Sequence, residues 1–195
     1  MVTVDLNNPR IPEADVDSQF VDRWSPRAFV DRPLSAEQMS ALFEAARWAP
    51  SCNNDQPWLF VYAVTAADRA RFAEALAPTN QVWAARAPLL LFVLCRRHFR
   101  HNGRDNRHAS FDAGAAWMSL ALQARRLGLH AHAMAGFSRG KAYEILGVPQ
   151  EDYDIMAAVA VGRRGDPTEL PAELAAREQP NDRRPLAEVA REGRF

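Results

Sequence analysis

Residues 47–58 read Arg47-Trp48-Ala49-Pro50-Ser51-Cys52-Asn53-Asn54-Asp55-Gln56-Pro57-Trp58, and the rest of the chain is organised around them. Upstream, Ser35-Ala36-Glu37-Gln38 has the form of a capping box. Met39, Leu42, Phe43 and Ala46 then recur at helical spacing, which predicts an amphipathic helix ending at Ala49. Downstream, Trp58 to Val64 is a solid apolar run and predicts a strand. The two prolines fix φ and restrict the residue before each, stiffening both ends of the loop between. A stiff loop rich in hydroxyl and amide groups can offer donors and acceptors to a flat polar ligand without first being ordered. It holds no base–nucleophile pair and no metal-ligand spacing, so it reads as a binding loop; a well-capped turn would use the same residue types.

The chain has 195 residues, 48% of them apolar and 25% charged, which suits one globular domain. Basic and acidic residues balance at 24 each, giving no general support to a nucleic-acid or acidic-membrane partner. Cys52 and Cys95 are too few for a disulfide scaffold and suit a reducing compartment. Met1–Asp17 is polar, with no apolar core of a signal peptide, and no run approaches a membrane span. The expected location is the cytoplasm.

Residues 1–16 read as an N-terminal arm. Asp17 can cap a short helix whose Phe20, Val21 and Trp24 share a face. It leads into Arg23-Trp24-Ser25-Pro26-Arg27, two guanidiniums flanking a hydroxyl. Arginine forks match phosphate oxygens, although arginine pairs beside turns are often only solvated. Thr65 opens a helix through about Leu76, closed by Pro78. Leu89–Cys95 and Ile155–Val161 are continuous apolar runs, as is 58–64, and suit strands buried on both faces. Residues 96–108 form a loop with Arg96, Arg97, Arg100, Arg104 and Arg107 against Asp105, read as a mobile, solvated loop or lid that could meet an anionic substrate. His98 and His101 lie in it, but the nearby cations argue against a metal.

Phe111–Leu127 is the strongest helix, apolar nearly all round, and must face a core or a second subunit. His130–Gly136 is a short extended segment, and Ser138 caps a helix ending near Gly147. From Arg163 to residue 195 the chain reads as an extended C-terminal arm lying on another subunit, with a short helix near 172–178.

Taken in order, these pieces resemble the nitroreductase family of FMN-dependent oxidoreductases. The resemblance is carried by Arg23–Arg27, Ala45–Ser51 through Asn54–Trp58, and Asn80 ahead of Ala87-Pro88. It continues in Asp112-Ala113-Gly114-Ala115-Ala116, Gly128–Phe137 and the basic tail around Arg183. Where the family usually has a second serine, this chain has Cys52. The resemblance implies an α+β fold, an α/β/α sandwich with a mostly antiparallel central sheet, in an arm-exchanged homodimer. It implies that Arg23, Ser25, Arg27 and Arg183 hold the FMN phosphate, with Arg184 the neighbouring alternative. Ser51 and Asn54 would reach the same flavin from the other subunit. Asn80 and Gln56 would lie near the ring's polar edge, unless Gln56 braces its own loop, and Ala135 and Gly136 would bring backbone to flavin N5. Trp24, Pro50, Cys52 and Met134 complete the implied cofactor set.

The implied activity is ping-pong reduction of nitroaromatics, quinones or similar small electrophiles by NADH or NADPH; the basic 96–108 loop leans towards NADPH. No Gly-x-Gly-x-x-Gly fingerprint accompanies it, which suits a visiting nicotinamide. Alternatives are a flavin carrier without turnover and a related reductive dehalogenase. No acid–base dyad is required, because the chemistry belongs to the cofactor. His132 could donate a proton or be a satisfied core histidine. Cys52 follows the end of a helix, where the dipole disfavours a thiolate, so it reads as a small packed residue.

Overall fold

The computed structural model describes residues 8–194. Its centre is β3 (Leu89–Arg96), whose burial is continuous through Cys95. Alternate side chains of a strand leave on opposite faces, and β3 divides accordingly. Leu90, Phe92 and Leu94 join one core with Phe72, Trp83, Met134 and Ile155. Leu89, Leu91, Val93 and Cys95 join another with Leu42, Ala46, Leu120 and Leu129. β3 pairs antiparallel with β2 (Trp58–Ala63) on one side and β5 (Tyr153–Arg164) on the other. β5 also pairs antiparallel with β4 (His130–Met134) and with β1 (Phe29–Val30).

Helices cover both faces. α2 (Ala36–Arg47) and α5 (Ala109–Arg126) supply the second core. The first takes residues from α3 (Ala66–Ala73), α4 (Pro78–Ala84) and α6 (Arg139–Leu146). The result is the expected α/β/α sandwich on an antiparallel sheet. The Ser35–Gln38 capping box is formed in both directions, and Ser138 caps α6. Gly147 ends α6 with φ +63°, a conformation in which a side chain would be strained.

Several expectations are corrected. Strand β2 is an edge strand rather than one buried on both faces, with Leu59 and Tyr62 exposed, and it ends at Ala63, one residue short of Val64. α1 (Ser18–Asp22) ends before Trp24, which is buried in the segment that follows. Pro78 does not merely stop α3: it occupies the first turn of α4, where its missing N–H costs nothing. The basic loop is pinned rather than free, since Phe99 and Asn106 donate to the carbonyls of Arg104 and Arg97, and Arg97 pairs with Asp154 at 2.7 Å.

Of the expected N-terminal arm 1–16, residues 1–7 lie outside the described residues. The part from Asn8 is fastened, not frayed: Asn8 and Arg10 donate to the Val21 carbonyl. The C-terminal arm begins two residues later than expected, because Arg163 and Arg164 pair with β1. It carries two short helices, α7 (Ala172–Ala175) and α8 (Leu186–Val189). As far as Leu186 it is hydrogen-bonded to its own chain, through Glu178, Asn181 and the Leu186 amide.

Candidate functional site

The segment after α1 alternates regularly. Asp22, Trp24, Pro26 and Ala28 are buried, while Arg23, Ser25 and Arg27 are half-buried between them. Period-two alternation places the three polar side chains on one side of the segment. Arg23 Nη1 lies 3.5 Å from Ser25 Oγ, as that placement requires. Trp24 is the anchor: it sits under the Arg164 guanidinium at 5.0 Å and meets His130 edge-on. Its indole is thus core, and only its backbone faces the polar side.

Two groups fix this segment from outside. The Glu178 carboxylate, fully buried, accepts from the backbone N–H of Arg27 at 2.6 Å and of Ala28 at 2.8 Å, and its other oxygen lies 3.9 Å from Arg27 Nη1. His132 Nδ1 lies 2.9 Å from the Pro26 carbonyl. A carbonyl can only accept, so this ring carries its proton on Nδ1. Burial lowers the His132 pKa to about 4, the Pro26 carbonyl opposes that shift, and the nearby charges of Arg27 and Arg23 add to it. The imidazole is therefore neutral at neutral pH and packs on Trp83 at a tilt of 38°, with ring centres 4.5 Å apart. His132 is half-buried, and its Nδ1 is committed to the Pro26 carbonyl.

Arg10, absent from the expected set, completes the cationic cluster. Its guanidinium donates to the carbonyls of Val21 and Arg23, both at 2.9 Å, and to that of Asn181 at 2.6 Å. Burial lowers the pKa of Arg10 and of Arg23, and the charge of Arg183 lowers both further. Arg10, Arg23 and Arg183 thus stand within electrostatic reach of one another. Asp182 and Asp22 offset the repulsion at Arg10 only in part.

A second group adjoins the first through α4 and β4. One turn before Trp83, the Asn80 amide donates to the Gly136 carbonyl at 3.0 Å, and the Ala77 N–H reaches the same oxygen at 2.9 Å. A Cβ built on Gly136 would lie 2.8 Å from Asn80 Nδ2, so any side chain there would displace the Asn80 amide. Ala135 is exposed, while Met134 is buried and faces the core.

The loop after α2 is a third group, placed elsewhere. It contains a 3₁₀ turn, Cys52–Asn54, and three residues with left-handed backbone: Asn53, Asn54 and Gln56. A non-glycine residue there is uncommon, and three in four positions mark stored strain. The loop is held by its own hydrogen bonds. Ser51 Oγ accepts from the Gln56 N–H, and the Gln56 amide donates to both oxygens of Asn54. Gln56 therefore braces the loop, the second of its two expected roles. The Cys52 N–H donates to buried Asp112 on α5, whose carboxylate serves the loop backbone. Buried Asp55 accepts from the Arg100 N–H at 2.8 Å and pairs with Arg96 at 3.5 Å, tying this loop to the basic one. Pro50, Asn53 and Asn54 are exposed.

The structure thus joins Arg23, Ser25, Arg27 and Arg183 with Asn80 and Gly136, through His132 and Trp83. It does not bring Ser51, Cys52, Asn54 or Gln56 to them: among the described residues no hydrogen bond links that loop to either group. No set of three potential metal ligands stands together among the described residues, and His98 instead lies 3.2 Å from Asp105. Arg10, Asp112 and Glu178 were missed as contributors to these groups. Their partners are 11 to 171 positions away, and no local pattern marks such pairings.

Comparison with known proteins bears on the fold and the family. A crystal structure described as an oxidoreductase containing FMN is 48% identical and superposes with a TM-score of 0.92, over 96% of each chain. A provisionally assigned nitroreductase from Exiguobacterium sibiricum 255-15, in complex with FMN, shares the fold at a TM-score of 0.74 and 20% identity, over 94% of this chain and 100% of that one. A Rhodopseudomonas palustris (strain TIE-1) protein provisionally named NADH dehydrogenase/NAD(P)H nitroreductase is 28% identical over 145 residues, 65% of this chain and 74% of its own. The model of the nitroreductase family matches residues 21–84 and 77–163. With that match over most of its length and a sandwich of the same build, the chain belongs to the nitroreductase family.

Proposed function

We propose that this chain forms a single FMN-binding domain of a homodimeric oxidoreductase. It would use NADH or NADPH to reduce nitroaromatics, quinones or similar small electrophiles. The observation that carries the reading is the cationic cluster beside the Arg23–Arg27 segment. Burial and the charge of Arg183 both disfavour the charged guanidiniums of Arg10 and Arg23, and a phosphate dianion would relieve them. Arg23, Ser25, Arg27 and Arg183 would hold that phosphate. Charge-assisted hydrogen bonds contribute roughly 1.5–3 kcal/mol each, so three or four offset a substantial part of the association cost.

When bound, FMN would supply N5 as the acceptor and donor of hydride in a ping-pong cycle. The residues around it orient and shield. Asn80 fixes the Gly136 carbonyl, and exposed Ala135 beside half-buried Gly136 leaves room for a ring to approach. Neutral His132 holds the phosphate segment in place and leaves proton delivery to substrate and solvent. The strained loop, with Ser51, Cys52 and Asn54, would serve the site of a second copy, since it is not joined to the cluster in its own chain. Exposed Trp48 and Phe111 (73% and 78%) give that copy an apolar surface to cover.

The purified protein is expected to be yellow, to bleach on anaerobic titration with NADH or NADPH, and to oxidise the nicotinamide steadily with menadione. A yellow protein that bleaches without steady turnover would be a carrier. A colourless chain indifferent to FMN would sink the flavin reading.

A further inference from the structure

The C-terminal tail brings Arg183 to the cluster, yet little of the tail after α7 is buried except Glu178. Two clasps hold it there. The Glu178 carboxylate, five positions before Arg183, caps the backbone N–H groups of Arg27 and Ala28 and faces the Arg27 guanidinium. Two positions before Arg183, the Asn181 carbonyl is held by Arg10, whose other donors grip the carbonyls of Val21 and Arg23. One guanidinium therefore binds the N-terminal segment, the end of α1 and the tail into one body. A lysine cannot reproduce this, because an ammonium lacks the planar fork that addresses three carbonyls at once. Three donors of the Arg10 fork are spent on backbone oxygens, so its part is to place Arg23 and Arg183.

We propose that Arg10 and Glu178 are positioning residues for the phosphate end of the site. They would couple docking of the tail to binding of a phosphate-bearing flavin. The inference rests on the flavin reading above. Coupling is reciprocal: if docking the tail raises affinity for the anion, the anion must hold the tail docked by the same factor. Riboflavin has the ring without the phosphate and is the natural control.

The test uses the full chain freed of bound flavin, with FMN and riboflavin affinities read by flavin fluorescence. The wild type should prefer FMN. Arg10→Lys should lose FMN affinity on the order of tenfold or more, matching one charge-assisted hydrogen bond, with riboflavin affinity nearly unchanged. Glu178→Gln keeps an acceptor for the two N–H groups but removes the charge facing Arg27, and should also narrow the preference. In the wild type, FMN should slow tryptic cleavage after Arg177 and Arg183 more than riboflavin does, and Arg10→Lys should erase that difference. If Arg10→Lys does not fold, Glu178→Gln and the cleavage assay decide. An FMN preference and tail protection preserved in the folded variants would overturn this proposal alone. A wild type with no preference for FMN would overturn the phosphate reading and this proposal with it.

Discussion

His132 shows how one residue links the two ends of the site. Its neutral ring donates to Pro26, in the Arg23–Arg27 segment, from a strand that leads to Gly136. Its pKa falls from 6.5 to about 4 on folding, so between those values the unfolded chain binds the proton and the folded chain does not. Stability should therefore be full above about pH 6.5 and decline as the pH falls towards 4. His132→Gln should flatten that slope in a pH series of thermal melts; an unchanged slope would mean the imidazole does not report on the fold. Gly136 allows a second test. Gly136→Ala drives a methyl against the Asn80 amide and should reduce stability by about 1 kcal/mol or more. Asn80→Ala removes the obstacle, so the double variant should be less harmed than the two single costs together, as urea titration would show.

Among the elements, the helix ahead of the loop matters most, because its end sets where the loop begins. Ser35 caps it and Gln38 returns the bond, so Ser35→Ala should lower stability by about 1 kcal/mol without altering flavin content, seen as a lower Tm at constant absorbance ratio. This cap was legible in the sequence because both partners lie within four residues, as were α5, β3 and the Ser138 cap. The edge position of β2 was not. Trp58–Ala63 is as apolar as β3, and only the sheet order puts it at the edge, where Leu59 and Tyr62 remain exposed. The basic loop was likewise misread as free, because the acids that pin it, Asp55 and Asp154, come from other strands and loops.

At the scale of the whole molecule, Phe111 and Trp48 are large apolar groups left in solvent beside a loop that carries stored strain. A second copy would cover them and receive Ser51 and Asn54 at its own phosphate cluster. Phe111→Glu should therefore shift the protein towards monomer in sedimentation velocity and release flavin in the same step. A monomer that keeps its full flavin load would refute sharing of the site between copies.

Period and capping are properties of a few consecutive residues, so the sequence alone determined α2, α3, α5 and α6, the buried strands β3 and β5, and the motifs at 23–27 and 47–58. Its resemblance to a family carried the α/β/α arrangement. Which cations meet, and what holds them, was decided only in three dimensions. Arg10 reaches Asn181 across 171 positions and Glu178 reaches Arg27 across 151, and no spacing rule operates over such distances. The same holds for Gln56: its amide could equally address a ligand or its own loop until left-handed backbone at Asn54 and Gln56 turned it inward.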